Sequence, residues 1–413
     1  MSGVLIEFFD KSPLENLISS LIIKPEKIIF LGANHKQMER KRDTYQRFLA
    51  LKNIDAEIIF RGIKKNDLEK ISRVIEDIAE NNVECVVDLT GGEELALVAL
   101  GMAVNKLKER RFTFHCVSIN SQKVIEFFND NQQETYEDIF LTVEETVLLN
   151  GGAMVRLGDT DDDFGSVSWD FNDEFVSDVE MLWELCKSNC VRWNIIVREL
   201  SNYITGESLT VNATGLADPA KHKRLVPPWT WGVSMLRKIQ NTGVICRLQQ
   251  TGDGFQFAFK NEMIMKIFEK AGTILELKTY LLIKQIKETS EKNYYDDVEH
   301  SVCIDWDGVV HECDAEIKDT RNEIDVVAMK GLIPYFISCK NGMIEDEELY
   351  KLSTVAERFG GSYARKALVA TYVGKSQEGM ESFRQRAKDM QITLIEGVHE
   401  ITDEAFCKKL KNL

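Results

Sequence analysis

The stretch Cys85-Val86-Val87-Asp88-Leu89-Thr90-Gly91-Gly92-Glu93 decides how the N-terminal part of the chain reads. Its first five residues form a short apolar run suited to a buried strand, Thr90-Gly91-Gly92 stops it, and residues 93–108 carry apolar side chains at helical spacing. The same rhythm repeats outward. Lys27-Ile28-Ile29-Phe30-Leu31 is an apolar run ending at Gly32, with a charged, amphipathic stretch after it. Residues 56–60 read as a strand, 67–80 as a helix and 112–119 as another strand. Strands alternating with helices predict an α/β fold with a parallel, doubly wound sheet.

The 413 residues exceed a single core, and 44% apolar content gives each of two or three domains an interior. The pattern divides the chain at 1–150, 151–260 and 261–413. No run approaches the ~20 apolar residues of a membrane helix. Met1 to Lys11 lacks the basic-then-apolar pattern of a secretion signal. Nine cysteines without a CxxC pair predict neither a zinc site nor a disulfide framework, and fit reduced thiols in a cytoplasm. A net charge of −16 argues against binding nucleic acid through bulk charge, while leaving room for a local basic groove.

After Asn150-Gly151-Gly152 the rhythm changes. The acidic run Asp159-Thr160-Asp161-Asp162-Asp163 reads as a solvated linker. Helices at 176–189 and 193–203, then Pro227-Pro228-Trp229 and a hairpin at 243–249 and 255–259, predict a small winged-helix-like module acting as a spacer or dimer contact. Lys221, His222, Lys223 and Arg224 form a basic cluster, read either as a phosphate contact or as a solvated loop. Residues 261–287 read as one long helix. Strands at 302–311, 323–329 and 333–339, a helix at 345–359, a strand at 367–373, a helix at 378–389 and a strand at 392–396 then give a mixed-sheet α/β domain.

In an open parallel sheet ligands bind beyond the carboxyl ends of strands. Two loops qualify: Gly32, Ala33, Asn34 and His35 after one strand, and Thr90, Gly91, Gly92 and Glu93 after another. Paired glycines let backbone N–H groups approach a phosphate, and the following helix N-terminus adds a positive dipole end. No GxGxxG or Walker loop is present; before Gly374-Lys375-Ser376, Val369 stands where the first Walker glycine belongs. Spacing alone leaves a simple turn and a ligand site equally open. Asp88-Leu89-Thr90-Gly91-Gly92 resembles the strand-end motif of the CRISPR-associated Rossmann-fold (CARF) domains over roughly residues 1–150. That resemblance implies a homodimer whose two sensor domains meet on a two-fold axis and bind a cyclic oligoadenylate. Glu93-Glu94 follows the glycines where such domains often carry a lysine, which shifts the donors to Asn34, His35 and main-chain amides.

Cleaving a phosphodiester calls for an activated water and a stabilised leaving oxygen, commonly through divalent cations held by carboxylates, with a lysine nearby. Glu323 and Asp325 alternate onto one face of a strand, and Ser338 and Lys340 onto one face of the next. Lys330-Gly331-Leu332 is the short connection that sets these strands side by side. Glu276 sits on the helix before the sheet, between Leu275 and Leu277. The series resembles the PD-(D/E)xK nuclease superfamily, a restriction-endonuclease-like fold. Asp325 matches its strand aspartate, Lys340 its lysine and Glu276 its helix acid, whereas Ser338 stands where the second motif acid belongs. Glu323, or the Cys339 carbonyl with water, then completes the shell around Mn²⁺ or Mg²⁺. Asp305-Trp306-Asp307 reads as a strand turning through Gly308 or as a neighbour of the metals.

Together the two halves resemble the ancillary nucleases of type III CRISPR systems. This implies activation by cyclic oligoadenylate, notably cyclic tetra-adenylate, and metal-dependent cutting of DNA, RNA or both. The rival expectation, kept open by Ser338, is a ligand-gated nucleic-acid-binding regulator on a decayed nuclease fold.

Overall fold

The structure, a computed structural model, describes residues 3–82, 84–107, 112–128, 131–159, 165–204, 206, 208–213, 229–251, 254–311, 319–372 and 374–413. The basic cluster Lys221–Arg224, most of the acidic run after Asp159, the Pro227-Pro228 pair and the hairpin tip at Gly252-Asp253 lie outside the described residues. No described helix is long and apolar enough to cross a membrane.

Seven strands form the N-terminal sheet: β1 (Val4–Phe8), β2 (Lys27–Gly32), β3 (Glu57–Gly62), β4 (Cys85–Asp88), β5 (Phe112–Ser118), β6 (Lys123–Phe128) and β7 (Asn131–Tyr136). They run in the order β3-β2-β1-β4-β5-β6-β7. The first five are parallel and the last two antiparallel, so the expected parallel sheet carries a hairpin on one edge. Helices Leu68–Glu80 and Glu94–Lys106 cover one face through Ile71, Ile75, Ala99 and Ala103. On the other face Ile28, Phe30, Ile58 and Phe60 meet Tyr45 and Phe48, in a core continuous with that of the C-terminal sheet.

A short strand, β8 (Ala153–Val155), follows and pairs with the C-terminal sheet. Helices Asp173–Ser188, Cys190–Ser201 and Trp229–Asn241 and an antiparallel sheet of β9 (Thr210–Ala213), β10 (Ile245–Thr251) and β11 (Gly254–Phe259), in the order β10-β11-β9, make a winged-helix-like unit. The long helix expected over 261–287 is two helices, Glu262–Ile267 and Thr273–Gln285. The break lets Phe268 pack against Trp193 and Phe259 and re-aims the second helix.

The third sheet contains β12 (Asp297–Asp305), β13 (Arg321–Lys330), β14 (Ile333–Lys340), β15 (Arg365–Ala370) and β16 (Ile392–Ile395) in the order β16-β15-β14-β13-β12-β8. β12–β14 are antiparallel and β14–β16 parallel, the expected mixed sheet. β12 lies earlier than the expected 302–311. Asp305 Oδ2 accepts the N–H groups of Asp307 and Gly308, both at 3.0 Å, and this side-chain turn ends the strand. Lys278, fully buried on the helix Thr273–Gln285, bonds Glu180 and Asp403 at 2.6 Å each and pins that helix from both sides.

Candidate functional site

Two constellations stand out, one beyond each large sheet. The C-terminal one forms where the β13–β14 ladder opens. Pairing runs from Lys330↔Ile333 to Val326↔Ile337, and Asp325 is the first residue past it. Asp325 Oδ2 accepts the Cys339 main-chain N–H at 2.5 Å and the Ser338 hydroxyl at 3.1 Å. Its carboxylate thus takes an N–H that a ladder carbonyl would otherwise hold, which fixes its position. Ser338, in the place of the motif acid, is a donor to Asp325.

Glu276 comes from the first turn of the helix Thr273–Gln285. Its Oε1 lies 2.9 Å from where a Cβ on Gly272 would stand, so the absence of a side chain at 272 makes room for the carboxylate. Burial pushes the Glu276 carboxyl well above the ordinary carboxylate range; Asp325 and Glu323 push it further, against Lys270 and Lys340. Burial also raises Asp325, opposed by Lys340, the Cys339 N–H and the Ser338 hydroxyl. For Lys340 burial works against the charge, but Asp325 and Glu348 outweigh it and hold the ammonium above its usual range. Glu348 bonds Lys340 Nζ at 2.8 Å. Glu323 is more exposed and meets Lys270 at 3.7 Å. Lys266, Lys270, Thr273, Glu276, Glu323 and Trp169 line a cleft of about 410 Å³. Asn341 bonds the Ala271 carbonyl and the Thr371 hydroxyl, tying the end of β14 to the start of the Glu276 helix.

The five residues Glu276, Glu323, Asp325, Ser338 and Lys340 therefore stand within electrostatic reach of one another. Two buried like charges are unfavourable without a cation, and a divalent ion relieves that repulsion. Among the described residues no group of three His, Cys, Asp or Glu forms a cage by itself. The set fits an ion held by two carboxylates and completed by carbonyl and substrate oxygens. The Cys339 thiol, raised by burial, stays protonated, so only its carbonyl suits a hard cation. Glu348, Lys270 and Asn341 were not read from the sequence. Asp305 is buried in its turn, with Oδ1 unpartnered, and has no contact with Glu276 or Asp325.

The N-terminal constellation lies at the switch point of the first sheet, between β1 and β4. Residues 9–15 follow β1, and residues 89–93 follow β4. Gly92 has φ +108°, and a Cβ there would fall 2.5 Å from the Phe8 Cβ; one on Gly91 would fall 3.2 Å from the Asp10 Cβ and 3.4 Å from the Glu15 Cβ. Beneath them Asp88 Oδ1 accepts the hydroxyls of Ser19 at 2.7 Å and Thr90 at 2.6 Å, and Thr90 Oγ1 accepts the Val117 N–H at 2.9 Å. The Thr90 hydroxyl is thereby spent on the fold. Among the described residues the amides of Gly91 and Gly92 have no acceptor. Asn34 caps the helix His35–Glu39 by accepting from Gln37 N, exposed His35 faces Glu39 at 3.7 Å, and Glu93 pairs with Lys65 at 2.7 Å. A Cβ on Gly32 would fall 3.0 Å from the Phe9 Cβ, so the Gly32–His35 loop flanks the β1 loop, with Ala33 exposed on it. The β1 loop was missed because β1 itself was not read as a strand.

The region from 269 to 408 matches the Card1-like endonuclease domain family. No curated protein sequence matches the chain. Among solved structures, protein VC1899 from Vibrio cholerae is similar over 99% of this chain and 97% of its own, with a TM-score of 0.73 at 18% identity. Can2 from Sulfobacillus thermosulfidooxidans, solved in complex with cyclic tetra-adenylate, is similar over 99% of this chain and 98% of its own, with a TM-score of 0.65 at 16% identity. The chain thus combines a Rossmann-like N-terminal sheet with a C-terminal region that matches the Card1-like endonuclease domain family.

Proposed function

We propose that this chain is a homodimeric, divalent-metal-dependent endonuclease of type III CRISPR defence, switched on by a cyclic oligoadenylate. The observation that carries the reading is the convergence of Glu276, Asp325 and Lys340 at the open end of the β13–β14 hairpin, inside the region that matches an endonuclease family. Residues 1–150 act as sensor, 151–260 as spacer and 261–413 as nuclease.

Glu276, Asp325 and the Cys339 carbonyl hold Mn²⁺ or Mg²⁺, which when bound supplies Lewis-acid charge at the scissile phosphate. Lys340, kept protonated by Asp325 and Glu348, places a positive charge where negative charge develops. Ser338 orients Asp325, and Glu323 with Lys270 shapes the entrance to the cleft. The substrate is DNA, RNA or both.

The activator assignment rests on the free Gly91 and Gly92 amides at the switch point and on likeness to a fold solved with cyclic tetra-adenylate. Dimerisation is supported by the helix Glu94–Lys106, apolar on nearly every side, whose Leu95 and Val98 are 41% and 52% exposed. A two-fold axis beside this helix would bring two Gly91-Gly92 turns together around one symmetric ligand. The free thiols of the eight described cysteines suit a cytoplasmic site of action.

The test is cleavage of plasmid DNA and of RNA by the full chain with Mn²⁺, with Mg²⁺ and in EDTA. Metal-dependent cutting that Lys340→Ala abolishes is expected. Binding of nucleic acid without cutting under any metal would favour the regulator on a decayed fold instead.

A further inference from the structure

The loop after β1 does more than flank the activator turn. Glu15 sits on it with its Oε2 3.6 Å from where a Cβ on Gly91 would stand. The other oxygen, Oε1, accepts the hydroxyl of Tyr363 at 2.8 Å across 348 residues of sequence. One carboxylate therefore faces the activator turn and bonds the C-terminal domain. Tyr363 belongs to the 3-10 turn Gly361–Tyr363, which leads directly into β15. β15 in turn pairs in parallel with β14 from Tyr335↔Arg365 to Lys340↔Ala370. The line of contact runs from Gly91 through Glu15 and Tyr363 to the strand that ends on Lys340.

The electrostatics of this position are adverse for an anion. Burial raises the Glu15 carboxyl, Tyr363 pulls it down by its hydrogen bond, and Asp10 and Asp88 raise it again. A phosphodiester approaching the Gly91 and Gly92 amides would meet this carboxylate at close range. Capture of the ligand then requires that Glu15 swing away, which breaks its bond to Tyr363.

We propose that Glu15 and Tyr363 form an autoinhibitory latch: Glu15 occupies the approach to the activator site while holding the turn that precedes β15, and the anionic activator releases both at once. This deepens the proposed function and rests on it, because it names how occupancy of the sensor reaches the nuclease sheet. Coupling of this kind needs a contact present in the resting state and absent in the liganded one. The Glu15–Tyr363 bond is the contact proposed for that role.

Tyr363→Phe removes the hydroxyl and leaves the ring in place. In the full-length protein it is expected to raise ligand-free, Mn²⁺-dependent cleavage about tenfold and to tighten cyclic tetra-adenylate binding by the same factor, the size of a charged hydrogen bond. Glu15→Gln removes the repelling charge and is expected to tighten the same ligand about tenfold by calorimetry. Hydrogen exchange over residues 361–371 in the ligand-free protein gives a readout that needs no cleavage, and should be faster in Tyr363→Phe than in the unsubstituted chain. A folded Tyr363→Phe protein with unchanged resting cleavage, ligand affinity and exchange would overturn the latch. An unsubstituted chain that cyclic tetra-adenylate neither binds nor activates would instead sink the proposed function, while exchange at 361–371 would still report on the Glu15–Tyr363 contact.

Discussion

Both large sheets bury a pair of acids close to their ligand-facing ends, and they treat the pair in opposite ways. In the N-terminal sheet Glu7 and Asp88 are almost wholly buried, and burial, the Asp88 charge and a hydrogen bond to Asp88 push the Glu7 carboxyl far up. Asp88 Oδ1 accepts the hydroxyls of Ser19 and Thr90, and the buried His115 ring lies 3.9 Å from it. In the C-terminal sheet Glu276 and Asp325 repel each other in the same way, but Glu276 lines an open cleft and Lys340 and Lys270 are at hand. The first arrangement is closed and sets the shape of the Gly91-Gly92 turn. The second is open, and a cation entering it would relieve the repulsion. Like charges in a core are a structural device when sealed and a chemical one when solvent can deliver an ion.

Removing the open pair should have the largest effect. Asp325→Asn or Glu276→Gln is expected to reduce cleavage on the order of a thousandfold. The same variants should lose the rise in melting temperature that Mn²⁺ gives the unsubstituted chain, measured by calorimetric scanning. A metal-induced rise of unchanged size in both variants would place the cation elsewhere. A smaller effect is expected of Gly272→Ala, whose methyl group would stand 2.9 Å from Glu276 Oε1. Displacing that carboxylate should slow cleavage about tenfold while leaving secondary structure intact.

The closed pair gives the smallest effect, and it appears in stability. A carboxyl raised in the folded state binds its proton more tightly there than in the unfolded chain. Stability is therefore lost as pH climbs from the unfolded pKa towards the folded one. Glu7→Gln removes the ionisable group, so the variant should be more stable than the unsubstituted chain by about 1 kcal/mol at pH 8 and equal to it near pH 4. Urea unfolding at both pH values checks this, and a variant less stable at pH 8 would show that Glu7 is ionised and paired.

The contrast between the two sites also explains what was legible in the sequence. Asp325 and Lys340 could be read because strand alternation and a tight Gly331 connection fix which side chains share a face. Glu276 could be placed on a helix, though not the break at 268–272 that aims it, since Lys270 and Ala271 suit a helix interior. The partners Glu348 and Lys270 carry no local signal; only the folded sheet brings them to Lys340 and Glu323. In the sensor, the Gly91-Gly92 turn was plain. β1 was hidden because its apolar run is interrupted by Glu7, an acid that reads as exposed and is buried. With β1 went the loop bearing Asp10 and Glu15. The edge strand β7 escaped for a related reason: Asn, Gln and Glu between 131 and 137 give no apolar period, and Glu126 interrupts the apolar run of β6 beside it. Residues 297–301, with Asp297, Glu299 and His300, likewise concealed the start of β12.

Occupancy of the sensor turn is expected to command the open site in the C-terminal sheet. The most direct test is the initial rate of nucleic-acid cleavage by the full chain at saturating Mn²⁺, followed across concentrations of cyclic tetra-adenylate. A low rate is expected without ligand, with a saturable increase of at least about tenfold on its addition, abolished by Asp325→Asn. A rate that is high without ligand and indifferent to its addition would contradict the account.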